Sequence, residues 1–154
     1  MESEEKSVGF GDLYDFICET LKTNGTVTFT ANGTSMLPWI RNGQDRVTLC
    51  SLPDNLRPGD VVFYRRKNGD FVLHRLISRN NGAFAFCDDN QFRIERGIKK
   101  SDMIGVLSGL ERGGSIYDLS SGKYAVYRAF LPCRRLFLRV RYGCGRLYKK
   151  LFRH

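Results

Sequence analysis

Two short apolar segments joined by a tight polar turn constrain the fold of this chain most strongly. Residues 61–65 and 71–77 are rich in β-branched and aromatic side chains, and Asn68-Gly69 lies between them. Asn-Gly readily adopts the left-handed backbone angles of a two-residue hairpin turn. The sequence therefore predicts a β-hairpin here, with two antiparallel strands.

Similar short strand patterns recur along the chain. Further strands are predicted at residues 26–30, 46–50, 83–87 and 103–110. Residues 10–23 instead place apolar side chains three and four positions apart, which predicts an amphipathic helix that ends before Asn24-Gly25. The expected fold class is mainly β: an antiparallel β domain preceded by one N-terminal helix.

The basic charge is concentrated in the last part of the chain. Residues 123–154 contain ten Lys or Arg and no acidic residue, whereas the whole chain carries a net charge of only +9. A length of 154 residues suffices for one compact domain. The patterns described above divide the chain into three expected regions. Residues 1–9 form a flexible acidic N-terminus, residues 10–122 form the β domain, and residues 123–154 form a basic amphipathic tail.

The tail is predicted to be a basic amphipathic helix, with a kink or break near Gly143 and Gly145. Its apolar residues recur at spacings of four and three; they are Cys133, Phe137, Val140, Cys144, Leu147 and Leu151. Three interpretations compete: the stripe enters an anionic membrane surface, the charges bind nucleic acid, or the stripe packs on protein while the charges are solvated. The absence of a recognisable nucleic-acid module argues against the second.

One serine and one histidine could supply nucleophilic chemistry. A serine becomes an effective nucleophile only when a neighbouring base removes its proton. Of the two histidines, His154 is the last residue, so His74 is the only candidate inside the domain. Strand alternation puts His74 on one face with Val72 and Leu76, where partial desolvation favours the neutral, basic form. A lone strand histidine is also compatible with a purely structural role.

An ordered series of short motifs gives this pair more weight. The series consists of Gly33-Thr34-Ser35-Met36-Leu37-Pro38, Gly59-Asp60-Val61-Val62, His74-Arg75, Asp88-Asp89-Asn90 and Ile104-Gly105-Val106. It resembles the signal peptidase I and LexA-like serine peptidase superfamily. His-Arg in the base-bearing strand resembles the Ser–His branch of endoplasmic-reticulum and archaeal signal peptidases. The nearest lysine, Lys67, lies in the hairpin turn, where a solvated charge is expected.

This resemblance implies a signal peptidase/LexA-like fold and a serine endopeptidase that cleaves a protein or peptide substrate. It implies that Ser35 is the nucleophile and His74 the general base. Asp89 matches the Asp of the family's Gly-Asp-Asn motif and would support His74, although Asp88 replaces the Gly. Glu95 is the reserve candidate for this role. The first oxyanion donor would be the Ser35 N–H, and the second is open because Gly33 replaces a common hydroxyl residue.

The alternative is a catalytically inactive member of the same fold that binds a peptide or docks at a membrane surface. Neither reading calls for a metal or another cofactor. Five scattered cysteines predict reduced thiols. With no apolar run of about 18 residues and no secretory pattern, we expect a cytoplasmic protein, peripheral on the cytoplasmic membrane face if the tail binds lipid.

Overall fold

The computed structural model describes residues 10–152, so the acidic segment 1–9 lies outside the described residues. The described chain contains two α-helices, eight strands and one short 3-10 helix, Lys100–Asp102. The α-helices and strands are α1 (Phe10–Asn24), β1 (Thr26–Thr30), β2 (Asp45–Cys50), β3 (Val61–Arg65), β4 (Phe71–Asn80), β5 (Ala83–Cys87), β6 (Ile94–Ile98), β7 (Met103–Arg112), β8 (Ser115–Tyr117) and α2 (Gly122–Phe152). The mainly β class and the two terminal helices are confirmed.

The eight strands form one antiparallel sheet. Its order is β1-β2-β7-β3-β4-β5-β6, with β8 paired to β7. The predicted hairpin is β3–β4, and its register pairs Val62 with His74 and Tyr64 with Val72. Strands β6 and β8 were not predicted, since β6 reads Ile-Glu-Arg-Gly-Ile and only pairing with β5 makes it a strand.

Apolar side chains pack into three adjoining clusters, and these hold both candidate catalytic segments in place. Tyr64, Leu76 and Phe86 belong to one cluster, together with Val72 from the His74 face of β4. A second cluster includes Met36 and Ile40, which bury the loop after β1 against the sheet. Leu73, on the opposite face of β4 from His74, packs against the second and third clusters.

A buried ion pair fixes the far end of the same loop. Asp45 is fully buried, and its carboxylate accepts hydrogen bonds from Arg112 Nε and Nη2, each at 2.6 Å. It also accepts the Arg41 N–H at 2.8 Å, while Arg112 Nη2 donates to the Trp39 carbonyl at 2.8 Å. The loop that carries Ser35 is therefore held by apolar packing within it and by a charged clamp after it.

The long helix α2 packs on the sheet through one face. Tyr124 and Leu131 are buried there, and the ring of Trp39 lies between Tyr124 and Tyr127, with centroids 4.8 Å from each. The helix continues through Gly143 and Gly145, so the predicted break is absent. Neither described helix combines the length and the apolar character that crossing a bilayer requires.

Candidate active site

Ser35 and His74 line the same cleft, which has a volume of about 370 Å³. Ser35 lies in the loop after β1, and its carbonyl accepts the Asn90 N–H at 2.9 Å, which ties the loop to the segment after β5. His74 lies in the middle of β4. The fold thus brings to one cleft two residues that are far apart in the sequence.

His74 is held in its neutral form. Its side chain is almost completely buried, and burial lowers the pKa of His74 to about 4. The charge of Glu95 acts in the opposite direction, and that of Arg66 reinforces the effect of burial. An imidazole with this pKa carries no charge at neutral pH, so one ring nitrogen has a free lone pair that can accept a proton.

Tyr64 and Glu95 lie at the Nδ1 edge of the His74 ring. The Tyr64 hydroxyl oxygen is 3.2 Å from His74 Nδ1 and donates its proton to Glu95 Oε2 at 2.9 Å. Glu95 Oε1 is 3.4 Å from the same Nδ1. Arg66 binds Glu95 through both Nε and Nη2. These four side chains form a chain of polar contacts from the solvent edge to the buried imidazole.

The protonation states in this network are set by its surroundings. Burial and the hydrogen bond to Glu95 raise the pKa of Tyr64, so the phenol keeps its proton. Burial alone would raise the pKa of Glu95, but the bonds from Arg66 and Tyr64 outweigh it and the pKa is lowered. Glu95 is therefore an ionised acceptor, and the Tyr64 hydroxyl donates its hydrogen bond to it.

This assignment decides the tautomer of His74. Because the only Tyr64 proton goes to Glu95, the contact between Tyr64 and His74 requires Nδ1 to carry a hydrogen and donate it to the phenol oxygen. The lone pair of the neutral ring then resides on Nε2. A general base oriented through Nδ1 and open at Nε2 is the arrangement that activates a serine in Ser–His enzymes.

In the described part of the chain, no hydrogen bond joins the Ser35 hydroxyl to the His74 ring. Free enzymes often hold such pairs slightly apart and close them only when substrate binds. The Ser35 side chain is half-buried, whereas neighbouring Thr34 is exposed along the cleft. This loop also contains the Ser35 N–H and the Thr34 hydroxyl as hydrogen-bond donors.

Asp89 lies at the centre of a different network. It is fully buried, and its two oxygens accept hydrogen bonds from Arg75 Nε at 2.8 Å and Arg75 Nη2 at 2.6 Å. Tyr127 of α2 donates to Asp89 Oδ2 at 2.8 Å, and Arg134 donates to the Asp89 carbonyl at 3.0 Å. The Asp89 charge acts on the pKa of His74 after burial, Glu95 and Arg66. Its direct contacts tie α2 to β4.

Asp88 lines the cleft beside Ser35 and His74. Only 7% of it is exposed, and its Oδ1 has no hydrogen-bond partner among the described residues. Burial raises the pKa of Asp88 to about 6, and a backbone hydrogen bond from Gln91 only partly opposes this. The cleft therefore contains a carboxyl group that takes up a proton close to neutral pH.

Two members of the His74 network, Tyr64 and Arg66, were missed by the sequence analysis. A usable signal existed for Tyr64, because the hairpin register places it one strand away from His74 on the same face. Arg66 follows directly in the turn. Its partner Glu95 was named in the sequence analysis only as the reserve candidate, because Asp89 was preferred there.

No protein-family model matches this chain, and a search of the curated proteins likewise finds no match.

Proposed function

We propose that this protein is a serine endopeptidase in which Ser35 is the nucleophile and His74 the general base. The observation that carries the proposal is the hydrogen-bond network at Nδ1, which leaves Nε2 of a neutral, buried imidazole as the basic atom in the cleft that Ser35 lines. The resemblance to signal peptidase/LexA-like enzymes supports the same assignment, and the mainly β architecture is compatible with that fold.

Each step follows from this arrangement. Ser35 Oγ attacks the carbonyl carbon of the substrate while its proton moves to His74 Nε2. The imidazolium then donates this proton to the leaving amine, and water repeats the sequence to release the acyl group. Throughout, Nδ1 keeps its hydrogen and donates it in a hydrogen bond to the Tyr64 oxygen.

Glu95 is the carboxylate we assign to support the imidazolium. It is ionised and lies 3.4 Å from Nδ1, so it stabilises the positive charge that forms when Nε2 accepts the proton. Asp89, the residue matched by the family motif, contributes its negative charge from further away and binds Arg75 directly. In this proposal Asp89 positions the strand of His74, and no metal or cofactor takes part.

An extended peptide fits the edge of the sheet at this cleft. Strand β1 lies at one end of the strand order, and Phe29 of β1 lines the cleft together with Ala31 and Ser35. An edge strand can pair with an added strand through main-chain hydrogen bonds, while side-chain pockets select residues. We therefore propose a protein or peptide substrate bound in extended form along β1.

Labelling with a serine-directed acylating probe tests the proposal. We expect the wild-type protein to be labelled at Ser35 and both Ser35→Ala and His74→Gln to lose the label. Ser78→Ala is the matched control, because Ser78 is exposed and lies on the same strand as His74. Circular dichroism of each variant shows whether the loss reflects folding instead of chemistry.

Labelling of Ser78→Ala at the wild-type level, with no label on Ser35→Ala, would support the peptidase. Failure of several probe classes and of a peptide library to react with wild type would overturn it. The outcome would then favour the catalytically inactive alternative, in which the same cleft binds a peptide without cleaving it.

A further inference from the structure

Helix α2 has two faces with different surroundings. Its inner face contacts the sheet through the buried residues Tyr124 and Leu131. An outer stripe, defined here as Val126, Phe130, Cys133, Phe137 and Val140, repeats at spacings of four and three along the opposite side. Its large apolar members are well exposed: Val126 57%, Phe130 65%, Phe137 63% and Val140 56%. Within the part of the chain that the structure describes, nothing covers this stripe.

Such an exposed apolar stripe on one helix is typical of an interaction surface, because isolated surface apolar residues do not line up in this way. The same spacing continues in the sequence at positions 144, 147 and 151. A surface of this length calls for one extended partner that contacts several turns of the helix together.

Charge selects the kind of partner. Residues 123–154 hold ten Lys or Arg and no acidic residue. Arg139 and Arg141 are both exposed within the stretch that carries the outer stripe. A second copy of this helix would bring like charges together along the whole contact, which opposes a coiled-coil dimer. An anionic surface with an apolar interior satisfies both the charges and the stripe.

We infer that the outer stripe of α2 docks on an anionic phospholipid membrane, with its apolar side chains in the interface and the exposed Arg139 and Arg141 at the headgroups. This surface lies outside the proposed catalytic cleft and does not depend on Ser35. The helix lies parallel to the bilayer, as amphipathic interfacial helices do.

The same helix is hydrogen-bonded to the rim of the cleft. Arg134 of α2 donates a hydrogen bond to Asn90 Oδ1 at 2.9 Å and to the Leu37 carbonyl at 3.5 Å. Asn90 lines the cleft, and Leu37 is two residues from Ser35. The helix that carries the outer stripe is thus attached to the rim of the cleft.

Vesicle co-sedimentation of the full chain tests this inference. We expect wild type to bind vesicles of phosphatidylcholine mixed with phosphatidylglycerol far more tightly than phosphatidylcholine alone, and to lose affinity as salt is added. Phe130→Asn/Phe137→Asn should bind about a hundredfold more weakly, because burial of each phenylalanine is worth about tenfold or more. Arg139→Gln/Arg141→Gln should weaken binding by roughly tenfold or more.

The matched control is Ile116→Asn on β8, which removes an apolar side chain that is 85% exposed outside the helix. It should bind like wild type, as should Ser35→Ala. Equal binding by wild type and the Phe130→Asn/Phe137→Asn variant would overturn the inference, because the stripe would then not enter the lipid. Absence of wild-type binding to the vesicles would also overturn it. A concentration-dependent dimer that the Phe130→Asn/Phe137→Asn variant abolishes would overturn it in favour of a second copy of the chain as the partner.

Discussion

The titrations of His74 and Asp88 are predicted to make two opposite contributions to the pH dependence of the free energy of unfolding. The pKa of His74 is lowered from 6.5 to about 4 by burial, so the folded state resists a proton that the unfolded chain accepts. The contribution of the buried, neutral His74 to the free energy of unfolding is present above pH 6.5 and is lost as the pH falls towards 4. At about 1.4 kcal/mol per pKa unit, the loss is about 3 kcal/mol.

Asp88 has the opposite sign. Burial raises its pKa from 3.8 to about 6, so the folded state takes up a proton before the unfolded chain does. Stability is therefore gained as the pH falls from above 6 towards 3.8. The same conversion gives a gain of about 3 kcal/mol. The two contributions nearly cancel in the wild-type protein, and the cancellation hides both.

Urea denaturation at several pH values, analysed as the difference between each variant and wild type, separates them. Between pH 7 and pH 4, His74→Gln should gain about 3 kcal/mol relative to wild type, and Asp88→Asn should lose about the same amount. Taking differences removes the contribution of the other carboxylates. The double variant should again run parallel to wild type, since it lacks both titrations.

His74→Gln and Asp88→Asn curves that each run parallel to wild type over this range would refute the two pKa shifts. A shift of both variants in the same direction would refute them as well. Either result would mean that burial in the folded state does not perturb the two groups in opposite senses.

Four further predictions follow from the contacts of the site and of the loop that carries Ser35. In His154→Gln, where a single histidine remains, nitrogen-15 NMR at neutral pH should show a hydrogen on Nδ1 of His74 and none on Nε2; the reverse pattern would remove the basic Nε2. Glu95→Gln should slow acylation of the probe by about tenfold to a hundredfold, the worth of a charge-assisted hydrogen bond, with little change in Tm. Asp89→Asn should instead lower stability by about 3 kcal/mol, because it leaves a buried arginine unpaired; a normal Tm with slow acylation would show that Asp89 supports His74. Asp45→Asn should cost a similar amount in urea denaturation by breaking the clamp on the Ser35 loop, and an unchanged midpoint would contradict the role assigned to that ion pair.

Local pattern was sufficient for most of the sheet. The β3–β4 hairpin, helix α1 and strands β1, β2, β5 and β7 follow from side-chain period and turn residues, because alternation and Asn-Gly geometry act over a few neighbouring positions. The same register was enough to place His74 on its face of β4, and it would have placed Tyr64 beside it. The uneven distribution of charge along the chain was also visible in the sequence.

Only the tertiary structure decided which side chain each carboxylate contacts. The sequence favoured Asp89 as the partner of His74, yet the Asp89 oxygens bind Arg75, whereas Glu95 reaches His74 from β6. Likewise, periodicity showed that α2 is amphipathic but not that Tyr124 and Leu131 face the sheet while Phe130 and Phe137 face outward. Sequence spacing fixes the side chains that share a face, since neighbouring positions are linked by backbone geometry. What that face meets depends on segments distant in the chain, and only their packing brings the charges together.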